Sequence, residues 1–498
     1  MDQIETYTII TNQLEVNVSI LGGKGITKIY YLTIPQVKEA TAALLDHIKT
    51  ELVSEIRVSS DTADDSKAAD DLKAKFRQRA EELIRNNLPK VDSETLRFLV
   101  SLIVQETLGL DKIEYLLNDE GLEEIVVLSA KESVWVYHKK YGWMKTNLTI
   151  SSEGQIQNIA NIIARKVGRQ VTTLTPLLDA HLLTGDRANV VLYPISTKGH
   201  TITIRKFARD PWTITDFIKV GTCSSEIFAL IWLAIQYEMN VLISGGTGSG
   251  KTSFLNVCTP FIPPTNRIVS IEDTRELQLP KYLYWCPLTT RLANAEGKGE
   301  VSMLDLLVNS LRMRPDRIIL GEMRKGDQAE VLFEAMHTGH SVYSTVHANS
   351  LNETIRRLTN PPINVPPNLL EGVNLNVVMF RDRRRGIRRA YQIGEFISGF
   401  EEGREIVKPN LLYRWKPETD TFVKHASSLR LFEDLTRHTG MTLQEISKDV
   451  AEKKKILDWM VATNLRDVES VGKLMHDYYL DPEEVLKRVG ASPSKARK

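Results

Sequence analysis

Gly245-Gly246-Thr247-Gly248-Ser249-Gly250-Lys251-Thr252 is the stretch whose reading decides the fold. It satisfies G-x-x-x-x-G-K-[ST], follows the apolar run Val241-Leu242-Ile243 and precedes a helix-compatible segment, Ser253 to Val257. Strand, glycine loop and helix form the context in which this pattern carries a mechanism. The glycines let backbone N–H groups curl around phosphate oxygens, and the helix N-terminus adds its partial positive charge. The residues from Gly245, Gly246, Thr247, Gly248, Ser249 and Gly250 to Lys251 and Thr252 are therefore expected to cradle the phosphates of ATP. Lys251 is expected at the β- and γ-phosphates, and Thr252 at a Mg²⁺ ion. A chance glycine turn would require both flanking elements to be coincidental.

Moving outward, residues 212 to 400 alternate apolar strands with helices: Val241 to Ser244, Arg267 to Ile271, Arg317 to Leu320 and Ser341 to Val346. Continuous β-branched runs of this kind predict a mostly parallel sheet buried on both faces. Ligand groups in such folds gather at the carboxyl ends of the strands. The acidic cluster Glu272, Asp273 and Glu276 follows the second strand, Glu322 the third and His347 the fourth. Where P-loop enzymes commonly place a Mg²⁺-supporting aspartate after the third strand, this chain has Gly321. Glu272 and Asp273 are therefore expected to help Thr252 with the metal. Polarising a water for attack on the γ-phosphate requires a nearby carboxylate. Glu322 is the first choice for that base and Glu276 the second. His340 and His347 are weaker candidates, since a lone histidine at a strand end is more often structural than catalytic. No His/Cys/Asp spacing suggests a bound transition metal.

Upstream, residues 1 to 90 read as a hairpin, Tyr7 to Ile20 and Ile29 to Leu32 about the glycines at 22 to 25, followed by helices broken by a polar segment. Residues 91 to 208 mix strands and helices without strict alternation, which suggests a compact α+β domain. Asp210-Pro211 is the expected hinge to the core. Arg187 and the pair Arg205-Lys206 read, from the residues alone, as charges guarding a strand edge. Beyond residue 400, Thr442-Leu443-Gln444-Glu445 and Asp481-Pro482-Glu483-Glu484 open helices, and Ala491 to Lys498 reads as a disordered tail. The turn Arg381 to Arg389, rich in arginine, reads as a solvated hairpin or as a contact for anionic lipid or an acidic partner.

At 498 residues the chain has room for two or three domains. With 42% hydrophobic and 26% charged residues it has an ordinary globular composition, and its net charge of +1 gives no general pull toward nucleic acid or membrane. Three scattered cysteines, Cys223, Cys258 and Cys286, read as reduced thiols. No signal segment or apolar run near 18 residues is present, which points to a cytoplasmic protein.

Four blocks occur in order: Gly245 to Thr252, Ile271 to Leu277, Leu311 to Arg324, and Thr338-Gly339-His340 leading to Ser344 through Ser350. Together they resemble the Walker A, Asp-box, Walker B and His-box of the type II/type IV secretion ATPases, whose Walker B shows the same Gly-Glu form. Upstream, Pro176 to Asn189 and Thr203 to Lys206 resemble that family's N-domain. The resemblance implies that Arg187 and Arg205 reach the γ-phosphate, and that hydrolysis is coupled to movement of the N-domain. It implies an α/β fold: a RecA-like P-loop core at 212–400, an α+β N-domain at 91–208, a hairpin and helix leader at 1–90, and a small helical extension at 401–498. The segments at Lys455 to Met460 and Met475 to Pro482 resemble the ending of the archaeal branch, which powers assembly of archaella and type IV pilus-like filaments. The tetracysteine zinc insertion of many bacterial relatives is missing. The resemblance further implies a homohexamer at the inner face of the membrane, docked on a polytopic platform protein and acting indirectly on pilin or archaellin subunits. A RecA-like ring that translocates nucleic acid is the rival. Neutral net charge and the lack of interleaved basic and aromatic residues speak against it, so no nucleic-acid partner is expected. A scaffold that binds ATP without turnover is a third reading, opposed by Glu322.

Overall fold

The computed structural model describes residues 2–11, 14–22, 27–34, 37–55, 66–182, 185–207, 211–293, 297–401 and 404–490. It divides into two compact units, Met1–Arg209 and Asp210–Lys498. The tail at 491–498 and Asp210 of the expected hinge lie outside the described residues.

The first unit is built on β1 (Asp2–Thr11), β2 (Leu14–Gly22), β3 (Ile29–Thr33), β4 (Leu122–Val127), β5 (Trp135–His138), β6 (Gly142–Thr146), β7 (Leu177–His181), β8 (Arg187–Val191) and β9 (Thr201–Arg205). They form one sheet in the order β1-β2-β3-β6-β5-β4-β9-β8-β7. The leader is therefore not a separate module at residue 90. Its third strand pairs in parallel with β6, Ile29 opposite Lys145 and Tyr30 opposite Thr146. A buried carboxylate strengthens that join: Asp119 accepts hydrogen bonds from Tyr7 at 2.7 Å and Tyr30 at 2.6 Å. Alternation along β2 places Val16, Val18 and Ile20 in the same apolar core as Ile125, Val136 and Ile204. Helices Glu39–Glu55, Ser66–Asn87 and Ser93–Leu108 share a smaller core around Leu52, Phe76 and Ile103. Asp92 caps the last of them, accepting from the amides of Glu94 and Thr95.

The second unit carries β10 (Val241–Gly245), β11 (Arg267–Glu272), β12 (Tyr284–Thr289), β13 (Arg317–Leu320), β14 (Ser341–Val346), β15 (Leu375–Asp382), β16 (Ile387–Glu401), β17 (Arg404–Lys416) and β18 (Thr421–Lys424). Their order is β12-β11-β13-β14-β10-β15-β16-β17-β18. Strands β10 to β15 run parallel and the last three add antiparallel. All of β10, β13 and β14 is buried, polar Arg317, Ser341, Ser344 and Thr345 included, as strands covered on both faces must be. Helices cover both faces, one around Phe228, Trp232 and Phe254 and the other around Phe333, Leu332 and Ile355.

The sheet does not stop near residue 400 as the boundary at 401 implied, because β16 and β17 continue it as a long hairpin. Helices Arg430–Thr439, Leu443–Ala462, Val468–Leu480 and Pro482–Arg488 follow. Ile446, Ile456, Leu457 and Met460 bury against the same core as Trp232, so the helical ending is packed onto the second unit's sheet. Buried Lys453 is satisfied there by Asp449 and by the Tyr478 hydroxyl at 3.1 Å. Its ammonium also lies 5.4 Å from the Trp232 ring centroid, within cation–π reach.

Candidate active site

The glycine loop leaves the carboxyl end of β10, between β14 and β15. Gly245 is at φ 155°, and a Cβ there would come within 2.5 Å of Ser249 Oγ and 2.6 Å of the Met379 carbonyl oxygen. Only glycine fits so close a backbone approach. The Ser249 hydroxyl donates to the Gly246 carbonyl at 2.8 Å, which closes the loop on itself. Gly250, at φ 92°, precedes the helix Lys251–Cys258, so Lys251 and Thr252 stand on its first turn. The first-turn amides have no partners inside the helix and are available to an anion.

Lys251 Nζ donates to the carbonyls of Gly245 at 3.0 Å and Gly246 at 3.3 Å, and lies 3.4 Å from His347 Nδ1. On the other side of its ring, His347 Nε2 is 2.8 Å from Glu322 Oε1. An ammonium can only donate, so Nδ1 accepts from Lys251 and Nε2–H donates to the carboxylate. Burial and the Lys251 charge both push the His347 pKa down from its ordinary value, against the pull of Glu322, which suits this neutral form. Burial also lowers the Lys251 pKa, while Glu322 and Glu276 work to hold its charge. Lys251, His347 and Glu322 thus form one continuous chain at the strand ends.

Glu322 is fixed by backbone as well. The Gly321 amide donates to Ile271 O at 2.8 Å, Thr345 Oγ1 donates to Gly321 O at 2.7 Å, and the Met323 amide donates to Thr345 O at 2.9 Å. Arg324 then bridges the acids, its Nε donating to Glu322 Oε2 at 2.8 Å and its Nη1 to Asp273 Oδ2 at 2.8 Å. Arg324 was not singled out from sequence; its place two residues after Glu322, on the same turn, was the available signal.

Two expected site residues stand elsewhere. His340 precedes β14 and His347 follows it, so a strand of six residues, roughly 20 Å long, separates them. His340 is at the amino end of β14, the opposite end of the strands from the loop, 3.3 Å from Thr338 Oγ1, and does not join the cluster. Glu272, expected at the metal, turns inward: it is 2% exposed, and its Oε1 accepts from the amides of Glu276 at 2.9 Å and Leu277 at 3.1 Å. It holds the loop at 273–277 in place. Glu276 itself lies exposed on that loop, close enough to act on the Lys251 charge.

Burial pushes the Glu272 carboxyl up to about 7. An acid whose folded pKa exceeds its unfolded value stabilises fully below the unfolded pKa, and that contribution is lost as pH rises through the folded one. Between an unfolded value near 4.5 and a folded value of about 7, this group costs up to about 3 kcal/mol at alkaline pH. Glu272→Gln keeps an acceptor for the two amides, so it should be more stable than wild type at pH 8, by about 2 kcal/mol, and equal to it near pH 5. Chemical unfolding at the two pH values checks this; a glutamine variant weaker at pH 8 would contradict the anchoring role.

In the first unit, Arg187 opens β8 and Arg205 ends β9, and the two are directly opposite in the ladder. Opposed residues of an antiparallel pair share a face, so the two guanidinium groups emerge together. Arg187 Nε donates to Asp179 Oδ1 at 3.0 Å; burial pushes the Asp179 pKa up, but Arg187 together with His181 and Arg169 brings it below its ordinary value. Arg205 is also opposite Glu124, whose pKa burial raises and Arg205 opposes.

For Mg²⁺ the donors near the loop are oxygens, the Thr252 hydroxyl and the carboxylates of Asp273 and Glu322, which is the chemistry a hard cation takes. Among the described residues no group of three His, Cys, Asp or Glu side chains could hold a metal alone. Among the described residues, too, no helix is long and apolar enough to cross a membrane.

Residues 106–380 match the family model described as type II/IV secretion system protein. The chain belongs to this family. It is similar to an uncharacterized protein of Methanocaldococcus jannaschii, 34% identical over 412 residues, covering 81% of this chain and 73% of that one. It is also similar to the type IV secretion system protein PtlH of Bordetella pertussis, 33% identical over 271 residues, covering 49% of this chain and 77% of that one. Among solved structures, the Legionella pneumophila ATPase DotB covers 75% of this chain and 95% of its own, with 17% identity and a TM-score of 0.42. The pilus retraction motor PilT with bound ADP covers 75% and 94%, with 18% identity and a TM-score of 0.41. The matched segment contains the glycine loop, Glu322 and His347.

Proposed function

We propose that this secretion-family ATPase is a Mg²⁺-dependent, homohexameric motor that drives assembly of archaeal type IV pilus-like filaments, archaella or pili. The observation that carries the reading is the chain Lys251–His347–Glu322 at the mouth of the glycine loop. It sets a cation for the terminal phosphates beside a carboxylate able to accept a proton from water. Glu322 is the general base of the proposal, with Glu276 next in reach. Thr252 and Asp273 are the protein oxygens offered to Mg²⁺. Bound Mg²⁺ would neutralise charge on the phosphates. His347 holds Glu322 and Lys251 in a fixed relation, and Arg187 and Arg205 supply positive charge to the γ-phosphate. Similarity to the type IV secretion system protein PtlH supports work in a secretion system, and similarity to a protein of the archaeon M. jannaschii suits an archaeal setting. The partners proposed are a polytopic platform protein and, through it, pilin or archaellin subunits, with the ATPase peripheral at the cytoplasmic face.

A motor that works as a ring should show it in solution. ATP with Mg²⁺ is expected to shift the purified chain to hexamers, and the ATPase rate per subunit to rise with protein concentration over the same range. Sedimentation velocity beside phosphate release measures both. A rate that stays flat while the protein remains monomeric rules out an obligate ring. Activity that rises several-fold only with duplex or single-stranded DNA at physiological salt would point to a nucleic-acid translocase instead.

A further inference from the structure

The turn at 381 to 389 is not a free basic hairpin. Strand β15 lies directly beside β10, with Met379 opposite Gly245, so Arg381, two residues on, is level with the glycine loop. Arg388 is opposite Arg381 across the hairpin. Arg388 Nε donates to the Gly248 carbonyl at 3.1 Å. A Cβ on Gly248 would come within 2.7 Å of Arg381 Nη1, and one on Gly250 within 3.2 Å of Arg388 Cδ. Both side chains therefore run along the loop. Asp382 in the turn accepts from the amides of Arg384 and Arg385, and Asp420, between β17 and β18, pairs with Arg389 at 2.7 and 2.8 Å.

The loop has two flanks, because β10 sits between β14 and β15. On the β14 flank are His347 and Glu322, the end for a γ-phosphate. The β15 flank carries Arg381 and Arg388. A nucleotide seated with its γ-phosphate at Lys251 runs its other end away from Glu322. A guanidinium has five donors, and the neutral Gly248 carbonyl takes one of Arg388's.

We propose that Arg381 and Arg388 form a second phosphate contact, binding the α-phosphate common to ATP and ADP from the flank of the loop opposite Glu322. The proposal rests on the nucleotide reading of the loop and deepens it. It makes the hairpin an affinity element, distinct from Arg187 and Arg205, which are proposed to act on the γ-phosphate alone.

The test uses the full chain and four variants: Arg381→Ala, Arg388→Ala, the double alanine and the double lysine. Arg383→Ala/Arg384→Ala, at the exposed end of the turn, is the control. MgADP affinity by calorimetry and KM and kcat for ATP are measured on each. Loss of one charge-assisted contact should weaken MgADP about tenfold per arginine and raise KM for ATP by a similar factor, with kcat falling less than about threefold. The control should match wild type. The double lysine should recover part of the affinity, since a point charge keeps attraction but not the fork. ADP affinity within twofold of wild type in the double alanine overturns the proposal, as does a tenfold fall in kcat with KM unchanged. Should the double alanine unfold, the double lysine decides: MgADP binding equal to wild type counts against a guanidinium contact. Wild-type protein that binds neither nucleotide overturns this proposal and the nucleotide reading together.

Discussion

Lys251→Ala is expected to bind ATP at least 100-fold more weakly than wild type and to show no measurable turnover, because it removes the buried cation of the loop. In the structure that ammonium is shared between two loop carbonyls and His347. These are neutral acceptors, so a polyphosphate competes for the charge with a large advantage. Alanine also releases His347, which loses its partner at Nδ1 while keeping Glu322 at Nε2. Lys251→Arg should recover little, since the bulkier fork does not fit a side chain only 9% exposed beneath the loop. Equilibrium ATP binding and phosphate release on the two variants check the expectation. Retained affinity in Lys251→Ala would mean that the loop amides alone bind the phosphates.

Arg187→Ala and Arg205→Ala carry the second large effect, a loss of about 10³-fold in turnover with ADP affinity retained. Phosphoryl transfer spreads negative charge over the equatorial oxygens of the γ-phosphate, and a positioned guanidinium stabilises that charge more than it stabilises bound ADP. The two residues are opposite each other on β8 and β9 and share a face, so either loss leaves a partner without its neighbour. Arg187 is already held by Asp179 in a two-contact pair. That pair is part-exposed, which makes it weak enough to exchange for a phosphate. Asp179→Asn should therefore leave Arg187 able to act, whereas Arg187→Lys should rescue poorly. Near wild-type hydrolysis by both alanine variants would return these arginines to a strand-edge role.

The core was legible because its signals are local. A glycine loop between an apolar run and a helix, and a carboxylate just beyond a buried strand, are each written within about ten residues. What failed was long-range. His340 and His347 belong to one sequence block, yet a strand runs between them and sends them to its opposite ends. Glu272 and Asp273 are adjacent, yet the first ends a buried strand and turns to backbone amides while the second faces Arg324. The leader's place in the first sheet depends on β3 pairing with a strand more than 100 residues on, which no local pattern encodes. The arginine turn reads as a hairpin in sequence; its contact with Gly248 follows only from the register of β15 on β10.

A motor of this kind needs Glu322 as its general base, and Glu322→Gln removes that base alone. Glutamine keeps the size of the side chain and an acceptor for His347 and Arg324, and removes only the carboxylate that takes the proton. The measurement is a single-turnover experiment with Mg²⁺ and labelled ATP, reading bound nucleotide and released phosphate in the same sample. Glu322→Gln should stay loaded with intact ATP while phosphate release falls at least 100-fold. Phosphate release near the wild-type rate by this variant would contradict that role for Glu322, and would move the base to Glu276.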